Sequence, residues 1–483
     1  MTEASRRRLT LVATALGSSL AFIDATVVVI ALPTIRQDLG FGLAGQQWVF
    51  LVYSLALAAL YLPAGAVGDR LGRRETFAAG VVGFALASAL AGAAPSGAVL
   101  IVARALQGVA GAFLTTNSLA LLREVYGKES GRAVGLWTSL TGVATVAAPP
   151  LGGIIVEWIS WRWIFFVNLP LAVVTLVAAL CGRCRQQESQ RVGRLDLPGA
   201  GLTALAFAML TYGVVEGGRH GFGHTWWALV LAAAALAAFV VVERHVPEPM
   251  LPFDLFRRRN FAFANLETLL VYGGLAGLFF FFPIYLQFLG FSPLAVGVVN
   301  APVSVVMILL AARFGRLADR LGPRLLLTVG PLLVGCGMLC FLLVDDRASF
   351  WRAGVPGLAL FSLGLSMLVA PITSTALSSA PDRFSGIASG VNQTVSRTGN
   401  LLAVAVIGLV VQVVFDHHAG GRHGVPLARG QTDPHLRAGS IDAFHVSVAI
   451  AAGLALAGAA VGALGISNAD ARETPEPVGM PAT

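Results

Sequence analysis

The segment Gly65–Arg74, Gly-Ala-Val-Gly-Asp-Arg-Leu-Gly-Arg-Arg, is a short, charged, glycine-punctuated stretch between two long apolar runs. It returns 250 positions later as Gly315–Arg324, Gly-Arg-Leu-Ala-Asp-Arg-Leu-Gly-Pro-Arg, so that Asp69 to Gly72 matches Asp319 to Gly322. A charged turn at the same place in two apolar blocks indicates an internal structural repeat.

The composition excludes a water-soluble globular protein. Of the 483 residues, 56% are hydrophobic and only 12% are charged, whereas soluble domains average about 25% charged residues. Apolar runs of roughly 20 residues recur along the chain, and each is long enough to cross a bilayer core of about 30 Å. We therefore predict an all-α polytopic membrane protein.

Fourteen apolar runs are predicted as transmembrane helices, over residues 9–33, 46–66, 76–94, 98–121, 133–157, 162–182, 196–216, 225–243, 261–284, 293–312, 324–344, 353–375, 386–411 and 443–466. They divide the chain into a six-helix bundle at 1–182, two additional helices with cytoplasmic linkers at 183–260, and a second six-helix bundle at 261–466. The remainder, 467–483, is predicted to be a disordered cytoplasmic tail because it is polar and proline-rich.

The orientation follows from the distribution of Lys and Arg, which accumulate in cytoplasmic loops. With the N-terminus inside and fourteen spans, 23 of these residues fall in cytoplasmic segments and 8 in outer segments. We therefore expect a multi-pass protein of the inner (plasma) membrane with both termini in the cytoplasm. The net charge of +8 then reflects topology, and no nucleic-acid partner is expected.

The sequence predicts no metal site, no cofactor and no enzymatic activity. Cys181 and Cys184 form a Cys-x-x-Cys pair, and Cys336 and Cys340 lie one helical turn apart, but no His or Cys cluster completes either pair to four ligands. The histidines of the outer loop 412–442 are interpreted as solvated. Because no catalytic triad, phosphate-binding loop or cofactor site is present, we expect a non-enzyme without a cofactor that does not use ATP as its energy source.

Asp24 in span one and Arg104 in span four are the first candidates for proton coupling. A charge at the bilayer centre costs on the order of 2.5–3.5 kcal/mol on insertion scales, so it must face water, find a partner or become neutral. By helical rise, Asp24 is ~14 Å and Arg104 ~9 Å from the outer ends of their helices, so contact is feasible. Arginine stays charged and would ease proton release from a neighbouring carboxylate. A purely structural contact is the alternative for both residues.

Glu267 in span nine and Arg397 in span thirteen are analogous buried charges in the second half. Glu267 is a further proton-coupling candidate, and the alternative is a place at the mouth of a cavity. Polar and aromatic side chains that give loose contacts to varied ligands are predicted to line a substrate cavity: Asp24, Tyr53, Glu267, Tyr285, Asn392 and Arg397.

Two further motifs are assigned conformational roles. In span five, Pro149 and Pro150 interrupt helical hydrogen bonds, and Gly152 and Gly153 allow a neighbouring helix to approach closely, which suits a helix that bends, although close packing alone is the alternative. The repeated turn is predicted to act as a latch through ion pairs that form and break, and a solvated turn is the alternative; the latch residues are Asp69, Arg70, Arg73, Asp319, Arg320 and Arg324.

The repeated turn, G-x-x-x-D-R-x-G-x-R, resembles the turn between the second and third helices of the major facilitator superfamily. Four other stretches resemble motifs of its fourteen-span drug–proton antiporters: Asp24–Pro33, Arg104–Gly108, Pro149–Gly153 and Trp161–Pro170. The resemblance implies two six-helix bundles with two added central helices, a central substrate cavity, and proton-driven export of bulky, often cationic or amphipathic compounds.

Two positions depart from the family pattern, because Val29 stands where the first-helix motif usually has Asn and Ala148 where the span-five motif usually has Gly. The prediction is a monomeric proton-coupled antiporter, embedded in the lipid bilayer, that exports drugs or antibiotics by alternating access. A dedicated exporter of one endogenous metabolite or lipid, and a non-transporting membrane sensor or scaffold, are the alternatives.

Overall fold

The structure is a computed structural model that describes residues 2–127, 130–182, 197–245, 253–381 and 385–469. Short 3₁₀ segments at Phe253–Arg257 and Cys340–Leu343 and a π-helical turn at Phe350–Gly354 interrupt otherwise α-helical structure. The α-helices of these residues are α1 (Glu3–Leu39), α2 (Leu43–Leu71), α3 (Arg73–Gly92), α4 (Gly97–Tyr126), α5 (Ser130–Trp158), α6 (Trp163–Phe166), α7 (Asn168–Cys181), α8 (Leu197–His220), α9 (Phe222–His245), α10 (Arg259–Phe288), α11 (Pro293–Leu321), α12 (Pro323–Leu339), α13 (Arg347–Ser349), α14 (Val355–Ser378), α15 (Ser385–Ala419) and α16 (Pro434–Gly465).

The predicted span count is confirmed, since the described residues contain 14 helical segments that are long and apolar enough to cross a membrane. Several helices continue beyond the apolar runs that revealed them. The first extends to Leu39 and the last begins at Pro434, because charged and polar residues at helix ends remain helical where side-chain caps and water satisfy the backbone.

Helix ends are set by local caps. The Thr2 hydroxyl accepts from the Ser5 N–H at the start of α1, and the Ser96 hydroxyl accepts from the Val99 N–H at the start of α4. At the end of α1, Gly40 adopts φ +69° and its N–H donates to the Arg36 carbonyl, a left-handed conformation that glycine adopts without steric cost.

The repeated charged turn has the same backbone conformation in both halves. Gly72 joins α2 to α3 with φ +100°, and Gly322 joins α11 to α12 with φ +87°. Each N–H donates back to the residue four positions earlier, Gly68 and Ala318 respectively. The sequence repeat is therefore a structural repeat in which a glycine with positive φ separates two membrane helices.

Contacts divide the chain into two compact units. The first consists of Met1–Glu248, Pro283–Ala301 and Leu427–Gln431, and the second consists of Pro249–Phe282, Pro302–Pro426 and Thr432–Thr483. The first unit thus includes α8 and α9 together with the first six spans. The four-part domain division predicted from the sequence stays a prediction.

The additional helices α8 and α9 are attached to α2 inside the first unit. The Trp48 indole N–H on α2 donates to Glu216 Oε1 on α8 at 2.7 Å. The rings of Trp48 and Tyr212 lie 6.3 Å apart, and those of Tyr212 and Trp227 on α9 lie 5.7 Å apart. A chain of aromatic contacts and one charge-assisted hydrogen bond therefore connects the additional pair to the bundle.

Candidate functional site

The structure brings Asp24 and Arg104 together. Asp24, in the middle of α1, is 2% exposed, and Arg104, on α4, is fully buried. The Arg104 Nη1 donates to Asp24 Oδ2, which forms an ion pair inside the first unit. The predicted contact between Asp24 and Arg104 is therefore present. Its role in proton coupling stays a prediction.

Arg104 is fixed by several contacts in addition to the carboxylate. Its Nε donates to the Val49 carbonyl at 3.2 Å, and its Nη1 also donates to Gln107 Oε1 at 2.9 Å. Its guanidinium carbon lies 4.3 Å from the ring centroid of Tyr53, a cation–π distance. The Tyr53 hydroxyl donates to the Ala21 carbonyl at 3.1 Å, so Tyr53 connects Arg104 to the helix that carries Asp24.

Two amides complete the carboxylate's hydrogen bonds. Gln107 Nε2 and Asn168 Nδ2 donate to Asp24 Oδ1 at 3.2 and 3.3 Å. The same two amides donate to the Ser88 hydroxyl at 3.0 and 2.9 Å, and Ser88 donates to the Phe165 carbonyl at 3.0 Å. Helices α1, α3, α4 and α7 each contribute to this network, which we call the Asp24 cluster: Asp24, Ser88, Arg104, Gln107 and Asn168.

The sequence analysis did not assign Ser88, Gln107 or Asn168 to the site. Gln107 and Asn168 do lie in stretches that resemble family motifs, three residues after Arg104 and two before Pro170. An amide inside an apolar span is costly unless it is hydrogen-bonded, and this was the available signal. Ser88 carries no comparable signal, because a buried serine can bond its own helix.

A second cluster positions α7. The Trp161 indole N–H and the Arg162 guanidinium both donate to Asp38 Oδ2, at 2.9 and 2.6 Å. Arg162 also donates to the Ala94 carbonyl at 3.3 Å and stacks on the Trp161 ring at 4.3 Å. These contacts join the end of α1 to the segment just before α6 and α7, and so help to bring Asn168 to Asp24.

The Asp24 cluster places a donor on each oxygen of the carboxylate. An ion pair away from water is stable only when further hydrogen bonds complete its geometry, and removing one partner typically costs about 3–5 kcal/mol. Contacts through Asp24 therefore connect α1 to α4 and α7.

Glu267 is placed differently. It lies on α10 in the second unit, is fully buried, and neither of its carboxyl oxygens has a hydrogen-bond partner among the described residues. Gly458 and Gly462 of α16 lie against its side chain. Its predicted coupling role stays a prediction.

The other predicted cavity residues fall in both units. Tyr285, in the first unit, is fully buried and its ring stacks with that of Phe288 at 5.8 Å. In the second unit, Asn392 donates to Asn265 Oδ1 at 3.2 Å and to Thr268 Oγ1 at 3.0 Å, and Arg397 is half-buried. Tyr53, in the first unit, is buried with its ring against the Arg104 guanidinium. The shared cavity stays a prediction.

Helix α5 runs without interruption through Pro149 and Pro150. A Cβ on Gly152 would lie 2.5 Å from Val27 Cγ1, and a Cβ on Gly153 would lie 2.6 Å from the Pro293 carbonyl oxygen at the start of α11. Both partners belong to the first unit. The two glycines are therefore required for close approach, whereas the predicted bending of α5 stays a prediction.

The predicted latch residues differ in their contacts. Arg73 donates to the Ala120 carbonyl at 3.3 Å and lies 3.8 Å from Glu124, a partner that the sequence did not indicate. Arg324 Nε donates to the Ala463 carbonyl at 2.8 Å. Arg70, Asp319 and Arg320 are exposed. The side chain of Asp69 lies outside what the structure describes.

The beginning of the predicted tail is ordered by contacts with the second unit. Ser467 exchanges two hydrogen bonds with Asn260, both of 2.8 Å, and Asn468 Oδ1 accepts from the Arg324 N–H at 3.1 Å. Residues 470–483 lie outside the described part of the chain, so the tail prediction is not tested there. Asn468 thereby supports the second copy of the repeated turn.

In the part of the chain that the structure describes, 14 helical segments are long and apolar enough to cross a membrane, which defines a polytopic membrane protein. The family model of the Major Facilitator Superfamily matches residues 14–404. The chain belongs to this superfamily and is a transporter rather than an enzyme.

Relatives agree with this assignment. The chain is 34% identical over 408 residues to the multidrug resistance protein Stp of Mycobacterium tuberculosis, covering 83% of this chain and 75% of the relative. It is 34% identical over 409 residues to the tetracenomycin C resistance and export protein of Streptomyces glaucescens, with coverage of 83% and 75%. A solved structure of a bacterial homologue of the human lysosomal transporter Spinster matches with TM-score 0.69 and 18% identity, over 95% of this chain and 97% of that chain. This last likeness shows the fold.

Proposed function

We propose that this transporter exports bulky amphipathic or cationic organic compounds, including drugs and antibiotics, in exchange for protons by alternating access. The observation that carries the proposal is the Asp24 cluster, a titratable carboxylate buried within the membrane helices beside a permanently charged arginine. Proton exchange requires a group whose charge changes, and a buried carboxylate is such a group. The names of the two relatives, which refer to multidrug resistance and to resistance and export, support the substrate class.

Coupling begins at Asp24. In this structure Arg104 takes one carboxylate oxygen, and the amides of Gln107 and Asn168 take the other. A cationic substrate therefore reaches Asp24 only by displacing an amide, whereas a proton needs only one oxygen lone pair. We infer that protonation of Asp24 releases Arg104 and loosens α1 from α4, and that deprotonation restores the packing.

The remaining site residues receive proposed roles within this scheme. Tyr53, Tyr285, Asn392 and Arg397 contribute aromatic and polar contacts to substrates of varied shape. The latch residues of the repeated turn stabilise one conformation, and Gly152 and Gly153 let α5 move against α1 and α11. The transporter acts as a monomer in the inner membrane with both termini in the cytoplasm, and the proton gradient supplies the energy.

A dedicated exporter of one compound is the second candidate, because one relative is named for a single antibiotic. A drug-susceptibility panel on cells that express the chain, with and without an uncoupler of the proton gradient, tests both. Gradient-dependent resistance to several unrelated compounds supports the multidrug proposal, and resistance to one supports the dedicated exporter. Resistance that persists after uncoupling contradicts proton coupling, and no change with any compound favours a sensor or scaffold.

A further inference from the structure

Glu267 is a buried carboxyl group that the Asp24 cluster does not use. It is fully buried on α10, and neither Oε1 nor Oε2 has a hydrogen-bond partner among the described residues. Asp24, by contrast, receives donors on both oxygens. Moving an ionised carboxylate out of water without a partner costs roughly several kcal/mol, and a carboxyl group in such a place generally takes up a proton and becomes neutral.

The face of α16 beside Glu267 is formed by glycines. On α16, a Cβ at Gly462 would lie 3.3 Å from Glu267 Oε2, and a Cβ at Gly458 would lie 3.8 Å from Glu267 Cγ. Gly462 in turn packs against the Leu327 backbone of α12. Glycine at both positions leaves room for a carboxyl group at the α10–α16 contact, and none of these residues carries a titratable side chain.

The polar neighbours of Glu267 along its own helix are engaged elsewhere. Asn265 and Thr268 accept from Asn392 of α15, and their own donors go to the carbonyls of Phe261 and Ala264. They bond α15 and their own helix. The nearby amide and hydroxyl groups therefore do not stabilise a negative charge on Glu267.

Two arginines lie at the end of α16, just beyond Gly462. Arg259 donates to the carbonyls of Gly465 and Leu464 at 2.9 and 2.8 Å, and Arg324 donates to the Ala463 carbonyl at 2.8 Å. Both guanidinium groups bind the last turn of α16, where the helix dipole is negative. A carboxylate formed at Glu267 would find these charges and water available once that turn moves.

We propose that Glu267 is a second proton carrier, which holds its proton while α10 packs against the Gly458 and Gly462 face of α16 and releases it when that face separates. On release the O–H bond of the acid breaks, the proton passes to water, and the carboxylate remains, stabilised by water and by the neighbouring arginines. The inference rests on the proposed proton-coupled function, since it assigns part of the exchanged charge to Glu267.

The protonated acid is tested directly by infrared spectroscopy of the purified protein in detergent. At neutral pH we expect a carbonyl band of a protonated carboxyl group that shifts when glutamate is isotope-labelled and disappears in Glu267→Gln, whose side chain has the same shape and no charge. The band is expected to persist in Asp24→Asn and in the matched control Asp254→Asn, an exposed acid of the same unit. The proposal would be overturned if the band of wild-type protein did not shift on glutamate labelling, or if the band were unchanged in Glu267→Gln.

A second measurement separates this inference from the proposed function. Proton release into a weak buffer on addition of a transported drug is expected to be smaller in Glu267→Gln than in wild type, and unchanged in Asp254→Asn. Equal release from Glu267→Gln and wild type would contradict the role of Glu267 as a carrier. A wild-type protein that moves drug without proton release would contradict the proposed function itself, whereas the infrared band would still report whether Glu267 is protonated.

Discussion

Asn168 helps to orient the carboxyl group of Asp24. Its amide is one of two that bind Asp24 Oδ1, and it reaches that oxygen from α7, 144 residues away along the chain. A hydrogen bond to a charged group contributes about 1.5–3 kcal/mol. Asn168 is therefore a positioning residue, which acts through the carboxylate that it orients.

Substitution Asn168→Leu preserves side-chain size but removes this donor. Because the donor orients the carboxylate that pairs with Arg104, we expect a lower rate of drug transport and less proton release for each drug molecule moved. Drug transport and drug-induced proton release in proteoliposomes measure both quantities.

Thr175→Val on the same helix is the matched control, because Thr175 is also buried and its hydroxyl donates to the Leu171 carbonyl of its own helix. Its drug transport and proton release should match those of the wild type. Equal changes in both variants, or no change in either, would show that Asn168 does not act through Asp24.

At the scale of the element, α5 depends on two glycines in contact with neighbouring helices. The Val27 side chain occupies the place where a Cβ on Gly152 would lie, so Gly152→Ala must push α5 away from α1. Overpacking of this kind typically costs about 1–3 kcal/mol. We expect Gly152→Ala to lower the thermal stability of the purified protein and to reduce the rate of drug transport.

Gly135→Ala on the same helix provides the comparison, since a Cβ there would meet no atom within 4 Å. It should be neutral or slightly stabilising, because alanine has the higher helix propensity. If both substitutions reduce transport equally, the effect comes from changes in α5 itself and not from its contact with α1.

Much of the fold could be predicted from the sequence because it depends on local properties. Each apolar run is long enough to span a bilayer regardless of its neighbours, and the repeated Asp-Arg-Leu-Gly turn is visible as a repeat. The predicted boundaries were too short where helices continue through charged residues, as at Arg36 and Asp38 of α1.

The candidate site was only partly predictable because it is formed by non-local contacts. Asp24 and Arg104 are conspicuous as charges within apolar runs. The bonds from Gln107 and Asn168, and the role of Ser88 in joining them, depend on how α3, α4 and α7 pack around α1. The absence of donors around Glu267 among the described residues is likewise a property of packing, since the sequence shows only a glutamate in an apolar run.

At the scale of the whole molecule, the distribution of Lys and Arg predicts the orientation. Tags at both termini and in segment 183–195 should be accessible from the cytoplasm, and a tag in segment 420–433, between α15 and α16, should be accessible from outside. Compartment-specific labelling in intact and permeabilised cells measures this. Termini on opposite sides of the membrane would contradict the fourteen-span topology.

The central claim, that Asp24 exchanges protons for drug, is tested most directly by drug-induced proton movement in proteoliposomes. Wild-type protein should move protons against drug, and Asp24→Asn should not, whereas Asp24→Glu should retain part of the activity because a titratable group remains. Since Asp24→Asn leaves Arg104 without its charge partner, the double variant Asp24→Asn with Arg104→Gln serves as the stability control and should be folded but uncoupled. Proton movement by Asp24→Asn at the wild-type rate would contradict the account.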